Sequence, residues 1–168
     1  MEISHNNAWE QFLEEFIDVF SIYDLNKHKI FICGSYNEDS FKTLQEVKKI
    51  VNNKENTLAF FEKEFRRTHI ENLILKFDLI AKFSDEIIMI IDHDKGGHMI
   101  EMGIILFYTE FLRKTKVFVL KDADITHVLK SGGLLTPFFE ESKNLFYFKD
   151  NEMLFLKVKE LYKIDRVI

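Results

Sequence analysis

Glu101, Asp78 and Asp94 are the side chains whose type and setting offer chemistry. Glu101 stands one turn into a helix opened by Gly96-Gly97, inside the stretch Asp92-His-Asp-Lys-Gly-Gly-His-Met-Ile-Glu-Met-Gly103. The start of a helix stabilises a carboxylate as its anion. Ile100, Met102 and Ile104 make the surroundings apolar. A carboxylate so held suits nucleophilic or general-base work; the plainer reading is a first-turn glutamate that only complements the helix dipole. Asp78 falls among Leu73, Phe77, Ile80 and Ala81, where an acid needs a partner or a function. Its plainer reading is a solvated position on the same helix.

Two further groups of residues have types suited to ligand binding. His93, Asp94, His98 and Glu101 could hold a metal, since His98 and Glu101 share a helix face at i, i+3. There is no H-E-x-x-H motif and no cysteine cluster, so no metal is expected. In Cys33-Gly-Ser-Tyr-Asn37, Gly34 lets backbone approach a ligand, and the amides and hydroxyls at Ser35 and Tyr36 can hold phosphate or sugar. That segment lacks the glycine spacing of a dinucleotide fingerprint or a P-loop, and a plain strand-to-helix turn explains it equally well.

Periodicity names the elements that must position these residues. Trp9, Phe12, Leu13, Phe16, Ile17 and Phe20 form one helical stripe. Residues 28–168 then read as a single α/β domain behind an N-terminal helix and connector, 1–27. Strands are expected at 29–33, 57–61, 86–91, 116–120 and 145–148, and helices at about 39–51, 67–83, 98–113, 125–130 and 152–163. Glu86-Ile-Ile-Met-Ile-Ile91 is apolar throughout, as in a parallel strand covered on both faces. The alternation predicts a three-layer, doubly wound, mostly parallel five-stranded sheet. In such a sheet ligands bind beyond the carboxyl ends of the strands. The segments carrying Gly34 and Glu101 both lie there.

The segments Lys29-Ile-Phe-Ile-Cys-Gly-Ser-Tyr36, Phe77-Asp-Leu-Ile-Ala-Lys-Phe-Ser-Asp-Glu-Ile-Ile88 and Asp94-Lys-Gly-Gly-His-Met-Ile-Glu-Met-Gly103 together resemble the nucleoside 2-deoxyribosyltransferase family and its nucleotide N-glycosidase relatives, and more remotely the TIR-type NAD-cleaving domains. The resemblance implies a flavodoxin-like fold, a homo-oligomer, and cleavage or exchange of the N-glycosidic bond of a nucleoside, nucleotide or related small molecule. On this resemblance Glu101 is the nucleophile, and Asp78 and Asp94 contact or protonate the leaving base. Gly34, Ser35, Tyr36, Gly96, Gly97 and His98 line the substrate. No cofactor is implied. Where the family often carries a tyrosine that holds the glutamate, this chain has Phe31, and Tyr36 is the residue available to replace it. A non-catalytic nucleotide-sensing or interaction module of the same fold is the alternative. A third is an assembly protein joined through the Trp9–Phe20 stripe.

Composition bounds these readings. The chain has 168 residues, 46% hydrophobic and 30% charged, a balance that excludes a largely disordered polymer. A net charge of −5 and the lack of a basic stripe speak against a nucleic-acid partner. The strongest apolar run, Ile87 to Ile91, is far short of the roughly 18 residues a membrane span needs. The lone cysteine, Cys33, excludes a disulfide framework, and the polar first residues carry no signal pattern, so a cytoplasmic location is expected. Phenylalanine, at 18 residues, is in excess and is assigned to strands and to the helix faces that cover them.

Overall fold

The computed structural model describes residues 5–65, 72–93 and 96–164. Five strands form one sheet: β1 (His28–Cys33), β2 (Thr57–Phe60), β3 (Glu86–Ile91), β4 (Thr115–Leu120) and β5 (Leu145–Phe148). Their spatial order is β2-β1-β3-β4-β5 and every pairing is parallel, so the sheet expected to be mostly parallel is wholly so. This is a flavodoxin-like order, with the winding reversing between β1 and β3.

Helices cover both faces, as near-continuous apolar strands require. The helices α2 (Glu38–Asn52) and α8 (Asn151–Leu161) cover one face, where Ile30, Ile32, Ile88, Ile90 and Phe118 meet Leu44, Val47 and Leu154. The other face, with Phe31, Cys33, Met89 and Val117, is covered by α3 (Leu73–Phe83), α4 (Gly96–Phe107), α5 (Thr109–Lys114), α6 (Asp124–Ser131) and α7 (Thr136–Glu140). The N-terminal helix α1 (His5–Val19) joins that same core, with Phe12 and Phe16 fully buried.

The sequence-based expectations and the structure differ at three places. The helix expected at 98–113 is two, because Tyr108 is extended (φ −106°, ψ 113°). The break leaves Phe107 on the surface and turns Phe111 and Leu112 into the core. Between the helix expected at 125–130 and the strand expected at 145–148, where no element is expected, lies α7, which has Pro137 in its first turn and is too short to show a helical period. The helix expected from 67 starts at Leu73, capped by Asn72, whose side chain accepts from the Ile74 and Leu75 amides; residues 67–71 lie outside the described part. The aromatic stripe of α1 packs inside the chain: Phe16 meets Phe83 at 4.7 Å between ring centres, and Phe12 meets Phe65 at 5.0 Å. Phe12 and Phe16 of the stripe are thus core side chains of this chain, while Ile17 stays exposed.

Candidate functional site

Two turns follow from the topology at the carboxyl ends of the central strands. The β1 end leads through Gly34–Asn37 into α2, and the β3 end leads through Asp92 and His93 towards α4. Gly34 is buried, and a Cβ there would stand 2.8 Å from Leu44 Cδ2 and 3.1 Å from the Ile90 carbonyl. Glycine is therefore needed for the close packing of β1 against α2 and β3, whatever else the turn does. Ser35 is buried and its Oγ accepts from the Asn37 amide at 3.3 Å. Asn37 caps α2, its Oδ1 accepting from the Ser40 amide at 2.8 Å.

His93 ties the two turns together. Its Nε2 is 3.0 Å from Asn37 Nδ2, and its Nδ1 is 2.8 Å from Asp92 Oδ1. An amide nitrogen can only donate, so Nε2 accepts from Asn37 and Nδ1–H donates to Asp92. These bonds brace the winding-reversal point, a role for His93 that no local sequence pattern marks.

Glu101 belongs to α4, on the α3–α4 face of the sheet. It lines a cavity of about 210 Å³. Phe31 and Cys33 of β1 form one wall, Phe77 of α3 and Ile100 and Ile104 of α4 the others. Tyr36 and Glu62 complete the polar lining with Glu101. Burial pushes the Tyr36 phenol far above its ordinary value, and the nearby charges of Glu62, Cys33 and Glu101 add to this; a hydrogen bond with the Lys63 backbone acts the other way. Tyr36 is therefore a neutral hydroxyl at any physiological pH, able to donate to a carboxylate or a ligand oxygen. Glu62 is paired with Lys76 at 2.7 Å. Glu62 is the functional candidate that sequence reasoning missed: it follows a strand too short to flag its end, and only the fold brings it near Glu101.

Asp78 is elsewhere. It lines a neighbouring groove of about 490 Å³ between α3 and α4, which shares Ile100 and Ile104 with the Glu101 cavity. Its Oδ2 accepts from Lys82 at 2.6 Å, and its Oδ1 is buried with no hydrogen-bond partner among the described residues. Glu101 and Tyr36 thus share one cavity and Asp78 stands behind its wall. Asp94 lies outside the described residues. Gly96, Gly97 and His98 open α4 as the sequence reading has it, and nothing is described of their side chains. Among the described residues no three metal-ligating side chains cluster, and no helix is long and apolar enough to cross a membrane.

No curated protein and no solved structure matches this chain significantly. Residues 11–130 match the family described as Family of unknown function (DUF8170), and the chain belongs to that family.

Proposed function

We propose that this protein cleaves or exchanges the N-glycosidic bond of a nucleoside, nucleotide or related small molecule, with Glu101 as nucleophile. One observation carries the reading: Glu101 lines a largely apolar cavity with Glu62 and the neutral hydroxyl of Tyr36, at the carboxyl ends of the strands where the winding reverses. The resemblance to deoxyribosyltransferases and nucleotide N-glycosidases supplies the chemistry. The Glu101 carboxylate attacks the anomeric carbon as the bond to the base breaks. The base leaves with that electron pair and takes up a proton, and a glycosyl ester remains on Glu101. Water resolves the ester in hydrolysis, and a second base resolves it in transfer, the two-step logic of retaining glycoside cleavage. Tyr36 can orient the attacking carboxylate, the task a tyrosine in the place of Phe31 has in the resembled family. Asp94 is the residue the resemblance gives for protonating the base, since Asp78 stands behind the Ile100–Ile104 wall.

Incubation with nucleosides, nucleoside monophosphates and NAD, followed by chromatography for free base, tests this directly. Release by the wild type, at least about 10³-fold slower in Glu101→Gln, is the expected result. No release by the wild type, or equal release by both, overturns it. A non-catalytic sensor of the same fold is the second reading, favoured by Phe31, which is buried against Phe77 and offers no hydroxyl to Glu101. Melting shifts with a nucleotide but no turnover select that reading.

A further inference from the structure

Glu62 stands just past the carboxyl end of β2, in a turn that is held from both faces of the sheet. It opens a single 3₁₀ turn, Glu62–Glu64. On the α2 side, Glu64 Oε2 accepts from the Phe61 amide at 2.8 Å, and Glu64 Oε1 pairs with Lys48 at 2.6 Å. On the α3 side, Lys76 Nζ donates to the Phe65 carbonyl at 2.8 Å and pairs with Glu62 Oε1 at 2.7 Å. The side chains of Glu62 and Lys76 are only 27% and 12% exposed, so this is not a pair of solvated surface charges. A carboxylate in an ion pair can only accept hydrogen bonds, and one bond from Lys76 leaves it capacity for more. Glu62 also lines the Glu101 cavity, whose walls include Phe31, Phe77, Ile100 and Ile104. A carboxylate among such walls costs desolvation unless whatever fills the cavity offers it donors.

The size of the cavity says which part of a nucleoside that is. At about 210 Å³ it falls below the roughly 300–1,000 Å³ of sites that enclose a drug-sized ligand. It has room for a sugar ring rather than for sugar and base together. We propose that Glu62 selects ribose: its carboxylate accepts from the 2′-hydroxyl of a ribonucleoside whose C1′ faces Glu101, so that ribosides are preferred to 2′-deoxyribosides. The inference rests on the reading of Glu101 as nucleophile, which fixes where C1′ lies and therefore where the neighbouring 2′-carbon lies. In a compartment that holds little more than the sugar, the carboxylate that does not attack C1′ serves the hydroxyl on the adjoining carbon. A hydrogen bond to the 2-hydroxyl strengthens as the sugar gains oxocarbenium character, so Glu62 assists bond cleavage as well as binding. A 2′-deoxy sugar takes that donor away and leaves the carboxylate desolvated without it.

Adenosine, guanosine, cytidine and uridine, each set against its 2′-deoxy counterpart, test this in two measurements. The first is base release, read as the ratio of riboside to deoxyriboside kcat/KM in each chain. A merely structural loss lowers both rates and leaves that ratio alone. Glu62→Ala is expected to lower the ratio about 10- to 100-fold, the worth of a hydrogen bond to a charged group. Glu62→Gln keeps the shape and one acceptor oxygen and is expected to lower it about 5-fold. Should the alanine chain not fold, an unchanged ratio in the glutamine chain overturns the proposal. The second measurement is calorimetric binding to Glu101→Gln, which needs no turnover. Ribosides are expected to bind about 10-fold tighter than deoxyribosides, and the difference is expected to vanish when Glu62→Ala is added. Release from both sugars in a ratio that Glu62→Ala leaves unchanged overturns the role of Glu62 and keeps that of Glu101. No release from either sugar, with a riboside preference in binding that Glu62→Ala abolishes, does the reverse. No binding of either sugar, or tighter binding of the deoxyribosides, overturns the proposal.

Discussion

At Gly34 a Cβ would stand 2.8 Å from Leu44 Cδ2 and 3.1 Å from the Ile90 carbonyl, so β1 packs against α2 and β3 only with glycine there. The glycine reads as a ligand-approach residue, but the structure gives it a packing duty against Leu44 and the Ile90 carbonyl that sequence cannot reveal, since both neighbours come from other elements. Gly34→Ala adds one carbon where Leu44 Cδ2 would be 2.8 Å away, and Leu44 is itself buried. Overpacking of this kind costs about 1–3 kcal/mol. Urea denaturation is expected to show a loss in that range, and Leu44→Ala in the same chain should recover part of it by making room; additive losses would show that the two positions do not compete for space. The sequence offers Tyr36 as a sugar contact or as a replacement for the missing tyrosine. It does share a cavity with Glu101, because the turn after β1 folds back over the end of that strand. Phe31 faces the same cavity from within the strand, buried between Phe60 and Phe77. Glu62 shows the limit of such reading: no local pattern marks it, and its place near Glu101 is set by the parallel pairing of β1 and β2.

At the scale of elements, the two ends of the sheet do different work. The carboxyl ends carry the candidate site, and the amino ends carry a charged clamp. Glu86, first residue of β3, accepts from Tyr162 at 2.8 Å and pairs with His28 of β1 at 2.8 Å and with Lys116 of β4. One carboxylate thereby ties three strands to the end of α8. Burial pushes its carboxyl up, but the hydrogen bonds and charge of Lys116, with those of His28 and Tyr162, outweigh burial and leave it below its ordinary value of about 4.5. A carboxyl lowered in the folded state stabilises it fully above the unfolded value and loses that contribution as pH falls through the folded one. Stability should therefore decline as pH drops below about 4.5, and Glu86→Gln should flatten that part of the decline. At neutral pH the same substitution is expected to cost about 1.5–3 kcal/mol, the value of hydrogen bonds to a charged group. Urea midpoints for both chains from pH 3 to 7 check this, and parallel pH curves would remove Glu86 from the account. The strands themselves were legible, since β3 is apolar along both faces and its neighbours are short β-branched runs. The break at Tyr108 was not, because the apolar period continues across it and only packing of Phe111 and Leu112 against the core bends the chain there.

For the whole molecule, the question is whether α1 is an attachment or part of the folding unit. Sequence separates residues 1–27 from the alternating strands and helices, because nothing in a helical stripe says which surface it will cover. The structure gives that surface: Phe12, Phe16 and Phe20 complete an aromatic cluster with Phe60, Phe65 and Phe83, which belong to β2, the turn after it, and α3. Without α1 that cluster would open to water beside the sheet edge, and burial of large aromatic side chains is the dominant source of stability in a domain of this size. Phe16→Ala, at a fully buried ring, is accordingly expected to cost about 3–5 kcal/mol, as much as a substitution in the sheet itself. Trp9 makes the sharper measurement possible. It is the one tryptophan in the chain and it packs against Phe83 at 6.0 Å. Its fluorescence follows the docking of α1, while far-ultraviolet dichroism follows the helices as a whole. One cooperative unit requires the two signals to change together in urea. A tryptophan transition that precedes the loss of helix would make α1 a separable appendage, and the aromatic cluster would then carry little of the stability assigned to it.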